Sequence, residues 1–281
     1  MLVRFHFLTF LALVLKMAIC SAQPPIPAPM DNQLADRFWK QVPVTFGARY
    51  LVALPEGYVF DAKKKWPLIV YLHGASSRGR EVMKLKEQGL TYLVEKGKKL
   101  PFIVVSPQCP DDDWWDSRWM TETVNALVDE LLTKYAVDPQ RIYLTGWSMG
   151  ANGVYSLAIA HPERFAAIAP LAGKGDSQRG TRLAGLPAWI FHGAADKTVA
   201  PEESQKMADA IDNVAGDVTL TLIPNADHEI WPGVYNNPKL YEWFLQHKRI
   251  APAPPETKPA PPTVTPPIVV PPVVAPVPTP R

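Results

Sequence analysis

Residues 141–150 read Arg-Ile-Tyr-Leu-Thr-Gly-Trp-Ser-Met-Gly, an apolar strand pattern running straight into a G-x-S-x-G turn made by Gly146, Ser148 and Gly150. Without a Cβ at either glycine, the chain can bend sharply from strand to helix and leave the Ser148 hydroxyl standing out of the bend. Val154, Leu157, Ala158 and Ile159 then follow at helical spacing over 151–160. A bare G-x-S-x-G is common and by itself reads as a small-residue turn. Here the order strand, turn, helix gives it the context that a nucleophilic serine requires.

Outward from this turn, short apolar runs alternate with helical patterns. The runs at 50–54, 68–72, 102–106, 142–145, 165–171, 188–192 and 218–223 read as strands, most of them rich in Ile, Val, Leu, Tyr and Phe. Helices are expected at 121–135, 151–160, 201–213 and 239–248, the third opened by Pro201 with Glu202 and Glu203 in its first turn. Such alternation predicts a mostly parallel sheet with helices on both faces. Only a Gly-rich connection, 173–185, separates the runs ending at 171 and starting at 188, which leaves no room for a helical cap. An uncapped, shallow site suits large or polymer-attached substrates, with 78–97 as the segment able to cover part of it.

A serine at its free pKa is a poor nucleophile and needs a base, and the base needs an orienting carboxylate. After this kind of elbow they come in the order acid, then histidine, each on a loop following a strand. The run 188–192 leads into Gly193-Ala194-Ala195-Asp196, and the run 218–223 leads into Pro224-Asn225-Ala226-Asp227-His228. Asp196 and His228 are therefore the expected acid and base, with Asp227 the rival acid. The other histidines read differently: His161 as a helix C-cap, His192 as structural at a strand end, His247 as surface, and His73 as a brace for its own loop. An oxyanion needs two backbone donors aimed at one point; the Met149 amide, directly after the serine, and the Ala75 amide, after His73-Gly74, are the candidates. Trp114 and Trp115 lie in the acidic stretch 111–116, Trp147 adjoins the serine and Trp231 follows the histidine. Each of the four fits either a substrate-binding wall or the core.

The termini differ in composition from this middle part. Arg4 and His6 precede an apolar run at 7–15, and Cys20-Ser21-Ala22 offers small residues before Gln23, so 1–22 reads as a signal peptide too short in its apolar run to span a bilayer, with a lipoprotein role for Cys20 disfavoured by Ile19. Residues 23–45 form a lead-in, and 46–250 suit one compact catalytic domain. Thirteen of the 31 prolines fall in 251–281. That composition predicts a disordered, extended Pro-rich tail, either a passive spacer or an attachment to an envelope component or a partner. Cleavage after Ala22 would leave Cys109 alone, which excludes a disulfide framework and a cysteine zinc site. A net charge of +2 and short lysine clusters at 63–65 and 96–99 argue against a nucleic-acid surface.

With these residues in place, the chain resembles the alpha/beta-hydrolase superfamily over nearly all of 46–249. More narrowly it is similar to a secreted group of predicted peptidases and feruloyl, acetylxylan and polyhydroxybutyrate-depolymerase-type esterases. The resemblance is carried by 50–58, 66–74, Ser106-Pro107-Gln108-Cys109-Pro110, 138–150, 165–173, 192–199 and 241–245. Two positions depart from it: Ala151 and Ser76 stand where relatives usually carry glycine. It implies an alpha/beta-hydrolase fold and a secreted or periplasmic serine carboxylesterase, with Ser148, Asp196 and His228 as triad and no metal or organic cofactor. The alternatives are a serine peptidase of prolyl-oligopeptidase-like type, for which no gating domain precedes the catalytic part, and a non-catalytic binding module, which an incomplete triad would have favoured.

Overall fold

A computed structural model of the protein describes residues 45–59 and 63–249. The expected signal peptide, the lead-in up to residue 44 and the Pro-rich tail lie outside the described residues.

The strands are β1 (Tyr50–Ala53), β2 (Trp66–Leu72), β3 (Ile103–Pro107), β4 (Val137–Trp147), β5 (Ala167–Leu171), β6 (Ala188–Gly193) and β7 (Val218–Ile223). They form one 7-stranded sheet in the order β1-β3-β2-β4-β5-β6-β7. Among the described residues, only the β1–β3 pairing is antiparallel. Up to β4 the chain builds one side of the sheet, and after β4 it builds the other. The C-terminal end of β4 is thus the switch point, where a crevice opens outside the strand ends.

Side chains alternate across the sheet and feed two separate cores. Leu68, Val70 and Leu72 of β2 pack with α2 (Arg118–Lys134), α3 (Met149–Ala160) and α4 (Pro201–Asp212) through Val128, Val154 and Met207. Ile69 and Tyr71 pack on the opposite face with α1 (Gly89–Glu95), α5 (Trp231–Asn236) and α6 (Pro238–Gln246) through Leu90, Tyr235 and Phe244. Every residue of β2, β3 and β5 is buried, whereas β7, an edge strand, has only half-buried and exposed positions. Each large apolar side chain fully buried contributes about 1.5–3 kcal/mol, so the middle of the sheet is its most strongly held part.

Two helices were not expected from sequence, α1 and α5. The first opens at Gly89 with φ +67, and the second carries Pro232 and Gly233. Strand β4 also begins earlier than expected. Trp66 pairs with Val137 and Leu68 with Ile142, so 138–141 bulge from the ladder, closed by an Asp138–Arg141 ion pair of 2.6 Å. The β5–β6 connection holds a 3-10 segment, Ser177–Leu183, packed beside α3 and α4, and no helical insertion interrupts it. No helix among the described residues is long and apolar enough to cross a membrane.

Candidate active site

Ser148 sits between β4 and α3 with φ 58 and ψ −121, an unfavourable backbone conformation that costs on the order of 1–3 kcal/mol. The surrounding contacts enforce it. A Cβ on Gly150 would lie 2.0 Å from the Leu72 carbonyl oxygen, and one on Gly146 would lie 2.6 Å from the backbone of Gly150. The Ser148 amide donates to Leu171 O at 2.9 Å, tying the elbow to β5. The hydroxyl is left half-exposed at the switch point.

His228 Nε2 lies 2.9 Å from Ser148 Oγ, and His228 Nδ1 lies 2.7 Å from Asp196 Oδ2. A carboxylate beside Nδ1 makes that nitrogen the donor, so Nε2 faces the serine as an acceptor. The three residues expected from sequence are brought together in one line of hydrogen bonds. Asp196 is buried and His228 half-exposed. Burial alone would raise the Asp196 carboxyl, but hydrogen bonds from His228 and from the Val199 and Thr198 amides outweigh it and hold the group below the usual carboxylate range. Asp227, the rival acid, is exposed and accepts from the Glu229 amide at 3.0 Å, closing its own turn.

The acid and base loops meet at Gly193, where a Cβ would lie 2.1 Å from Asp227 O. The Ala194 amide donates to Ile223 O and the Ala195 amide to Ala226 O, at 2.9 and 2.8 Å. These contacts set the spacing between Asp196 and His228 before either side chain is considered.

On the other side lies the loop after β2. His73 accepts from the Cys109 amide through Nε2 at 3.0 Å, so its Nδ1–H donates to Gly74 O at 2.7 Å. Burial pushes this imidazole down to about 4, and it is a neutral brace, as the sequence suggested. The carbonyls of His73, Ala75 and Ser77 accept from Trp115 Nε1, Arg78 Nε and Gln108 Nε2 respectively. Ala75 opens the 3-10 turn Ala75–Ser77 and Met149 opens α3. First-turn amides lack an acceptor within their own helix, so both N–H groups remain donors. Ser76, the departure from glycine, is exposed and accepts from Gln88 Nε2 at 2.8 Å.

The four tryptophans separate into two kinds. Trp115 and Trp147 are only 1% and 5% exposed, so of the two roles open to them in the sequence, substrate wall or core, the structure gives them the core. Trp115 braces His73, while the Trp147 indole donates to His228 O at 2.9 Å and its ring packs 2.9 Å from where a Cβ of Gly74 would stand. A large aromatic with one N–H fits wall or core equally well on paper, and only packing decides. Trp114 is 49% exposed with the Arg78 guanidinium 4.1 Å from its ring centre. Trp231 is half-buried, donates to Glu229 Oε2 at 2.8 Å and meets Tyr92 of α1 edge-on.

Sequence reasoning also left His192 out of the site, yet its Nε2 stands 3.2 Å from Asp196 Oδ2. The signal available was its position four residues before the acid, at the end of the same strand.

The family described as "Putative esterase" matches residues 48–213, more than half of the chain. Among curated proteins, the chain is 25% identical to poly(3-hydroxyalkanoate) depolymerase C of Paucimonas lemoignei, over 53% of this chain and 45% of that protein. It is 29% identical to the bifunctional acetylxylan esterase/xylanase XynS20E of Neocallimastix patriciarum, over 45% of this chain and 18% of that one. The chain thus spans less than half the length of these relatives. A crystal structure of a thermostable esterase is 29% identical, with a TM-score of 0.61 over 71% of this chain and 59% of that one. The architecture is that of the alpha/beta hydrolases.

Proposed function

The chain belongs to the esterase family, and we propose that it is a secreted serine carboxylesterase working through an acyl-enzyme, with Ser148, His228 and Asp196 as its triad. The observation that carries this reading is the continuous hydrogen-bonded line from Ser148 Oγ through His228 to the buried Asp196 carboxylate, 2.9 and 2.7 Å long. As Ser148 Oγ attacks the ester carbonyl, His228 Nε2 takes its proton. Asp196 stabilises the imidazolium, and the Met149 and Ala75 amides donate to the oxyanion. Collapse breaks the carbonyl–oxygen bond to the alcohol, which leaves with the proton from His228. Water, deprotonated by the same nitrogen, then attacks the acyl carbon; collapse breaks its bond to Ser148 Oγ, which takes the proton back from His228 Nε2 as the acid leaves.

Polymer-attached esters, acetyl or feruloyl groups on polysaccharide among them, are the substrate class we favour. The uncapped β5–β6 connection supports this, since a half-exposed serine can meet an ester held on a chain. So does the likeness to a polyester depolymerase and an acetylxylan esterase. The exposed Trp114 is the remaining candidate for substrate contact, with Trp231 partly available. Export rests on the N-terminal sequence pattern around Ala22.

The test is hydrolysis by the full chain of p-nitrophenyl acetate, an acetylated xylo-oligosaccharide, a feruloyl ester, a hydroxybutyrate oligomer and a blocked peptide, each beside Ser148→Ala. Ester turnover that vanishes in the alanine variant is the expected result, and the fastest ester names the class. Cleavage of the peptide alone would replace this reading with a peptidase, and silence on every substrate from folded protein would leave a binding module. N-terminal mass analysis of the exported product checks for cleavage after Ala22.

A further inference from the structure

The Asp196 carboxylate is buried, and both of its oxygens meet protein donors. Oδ1 accepts from the Thr198 and Val199 amides at 2.8 and 3.0 Å. Oδ2 faces two imidazoles, His228 Nδ1 at 2.7 Å and His192 Nε2 at 3.2 Å. His192 lies on β6 and is 0% exposed.

The protonation of His192 follows from its neighbours. Its Nε2 is also 3.0 Å from the Val199 carbonyl oxygen, a group that can only accept, so Nε2 carries the hydrogen. Nδ1 is then an acceptor, and the Ser204 hydroxyl of α4, 2.6 Å away, donates to it. A relay thus runs from helix α4 through the end of β6 to the Val199 carbonyl, and the amide of that same residue donates to Asp196 Oδ1. No residue of this relay touches the serine or the space beside it.

We infer that His192 is a positioning residue for the triad: its Nε2–H, oriented by Ser204, holds the Val199 carbonyl and so fixes the Thr198 and Val199 amides that grip Asp196 Oδ1, leaving Oδ2 turned to His228 Nδ1. The inference rests on the triad reading proposed above. Without the His192 donor, the part-buried Val199 carbonyl loses this partner, and an acceptor left unsatisfied there is costly. The Val199 peptide then turns to recover a donor, its amide slackens on Oδ1, and the line from the carboxylate to His228 bends. Since the substrate touches neither group, the defect falls on kcat and leaves KM alone.

The experiment compares full-length parent, His192→Leu, His192→Gln and Ser204→Ala for ester turnover, thermal melting and the far-downfield proton resonance of His228 Nδ1. A glutamine amide can place a donor near the Nε2 position, whereas leucine offers none. Leucine is expected to lower kcat about 100-fold with KM unchanged and to shift or erase the resonance, because small misplacements of a catalytic group have effects of this size. Glutamine should retain kcat to within about tenfold and keep the resonance, and alanine at 204 should fall between them. If leucine prevents folding, the glutamine and Ser204→Ala forms decide by the same two readouts. A folded leucine variant, or failing that a folded Ser204→Ala, with parental kcat and an unmoved resonance overturns the inference. So does equal loss in the leucine and glutamine forms that tracks melting temperature, which would mark a merely structural histidine. A parent without serine-dependent turnover would instead overturn the triad reading, while the resonance would still report whether His192 orients the carboxylate.

Discussion

Ser148 leaves β4 in the middle of the sheet, while Asp196 and His228 leave β6 and β7 at its edge, and the two sides are held by different means. On the serine side the backbone does the holding: Gly146 and Gly150 stand so close to neighbouring carbonyls that only one bend is open to the chain. On the acid-base side the backbone supplies a close approach at Gly193, but the final alignment depends on hydrogen bonds from Trp147, Thr198 and Val199, and on the one from His192 to Val199 O. Steric definition tolerates loss of the side chain it presents. Alignment by hydrogen bonds fails gradually, one donor at a time.

The largest effects test this contrast at the two reacting ends. Ser148→Ala is expected to lower kcat by about 10⁶-fold while melting at or above the parental temperature, since the hydroxyl contributes nothing to the bend. A large loss of melting temperature would show that the elbow depends on its side chain after all. Asp196→Asn should lower kcat by about 10⁴-fold, because an amide leaves His228 without its orienting charge. Steady-state kinetics on the preferred ester reads both.

Substituting the bend itself should do the opposite. Gly150→Ala places a methyl 2.0 Å from Leu72 O, and chemical denaturation should reveal a loss of about 3 kcal/mol or more, in the range of severe overpacking and backbone strain. A variant as stable as the parent would mean that the sheet centre yields more readily than its burial suggests.

Acid should separate the two sides by pH. Unfolded His73 takes up a proton near 6.5, whereas the folded residue does so only near 4, so stability falls as pH is lowered between those values, by at most about 1.4 kcal/mol per pH unit. Asp196 is depressed below 3.8, so its contribution is intact above that value and is lost only as pH falls further. Denaturation series from pH 7 to 3 should therefore show the brace behind Ala75 weakening first. The smallest effect belongs to Trp147→Phe, which removes the donor to His228 O: about 1 kcal/mol of stability and a several-fold loss of kcat.

Sequence patterns made the sheet legible because its central strands are buried and so appear as unbroken apolar runs, as in 68–72 and 167–171. Helices α1 and α5 escaped for the converse reason: each is short, and Gly89, Pro232 and Gly233 read as loop. Ser148, Asp196 and His228 could be picked out because each follows a strand in a fixed order, and the turn chemistry around the serine is local. The bracing of Asp196 was not legible, since it joins residues from β6, α4 and two loops whose meeting depends on tertiary packing. Trp115 and Trp147 illustrate the same limit, because their burial is a property of the loops that cover them.

Cys109 donates its amide to the His73 ring, and its own side chain is 0% exposed, with burial pushing the thiol up to about 12. In the closed protein it is therefore both shielded and un-ionised, and thiol reagents can reach it only when the seam between its loop and the loop of His73 parts. Its labelling rate becomes a clock for the breathing of the wall that carries the Ala75 amide, readable without any substrate.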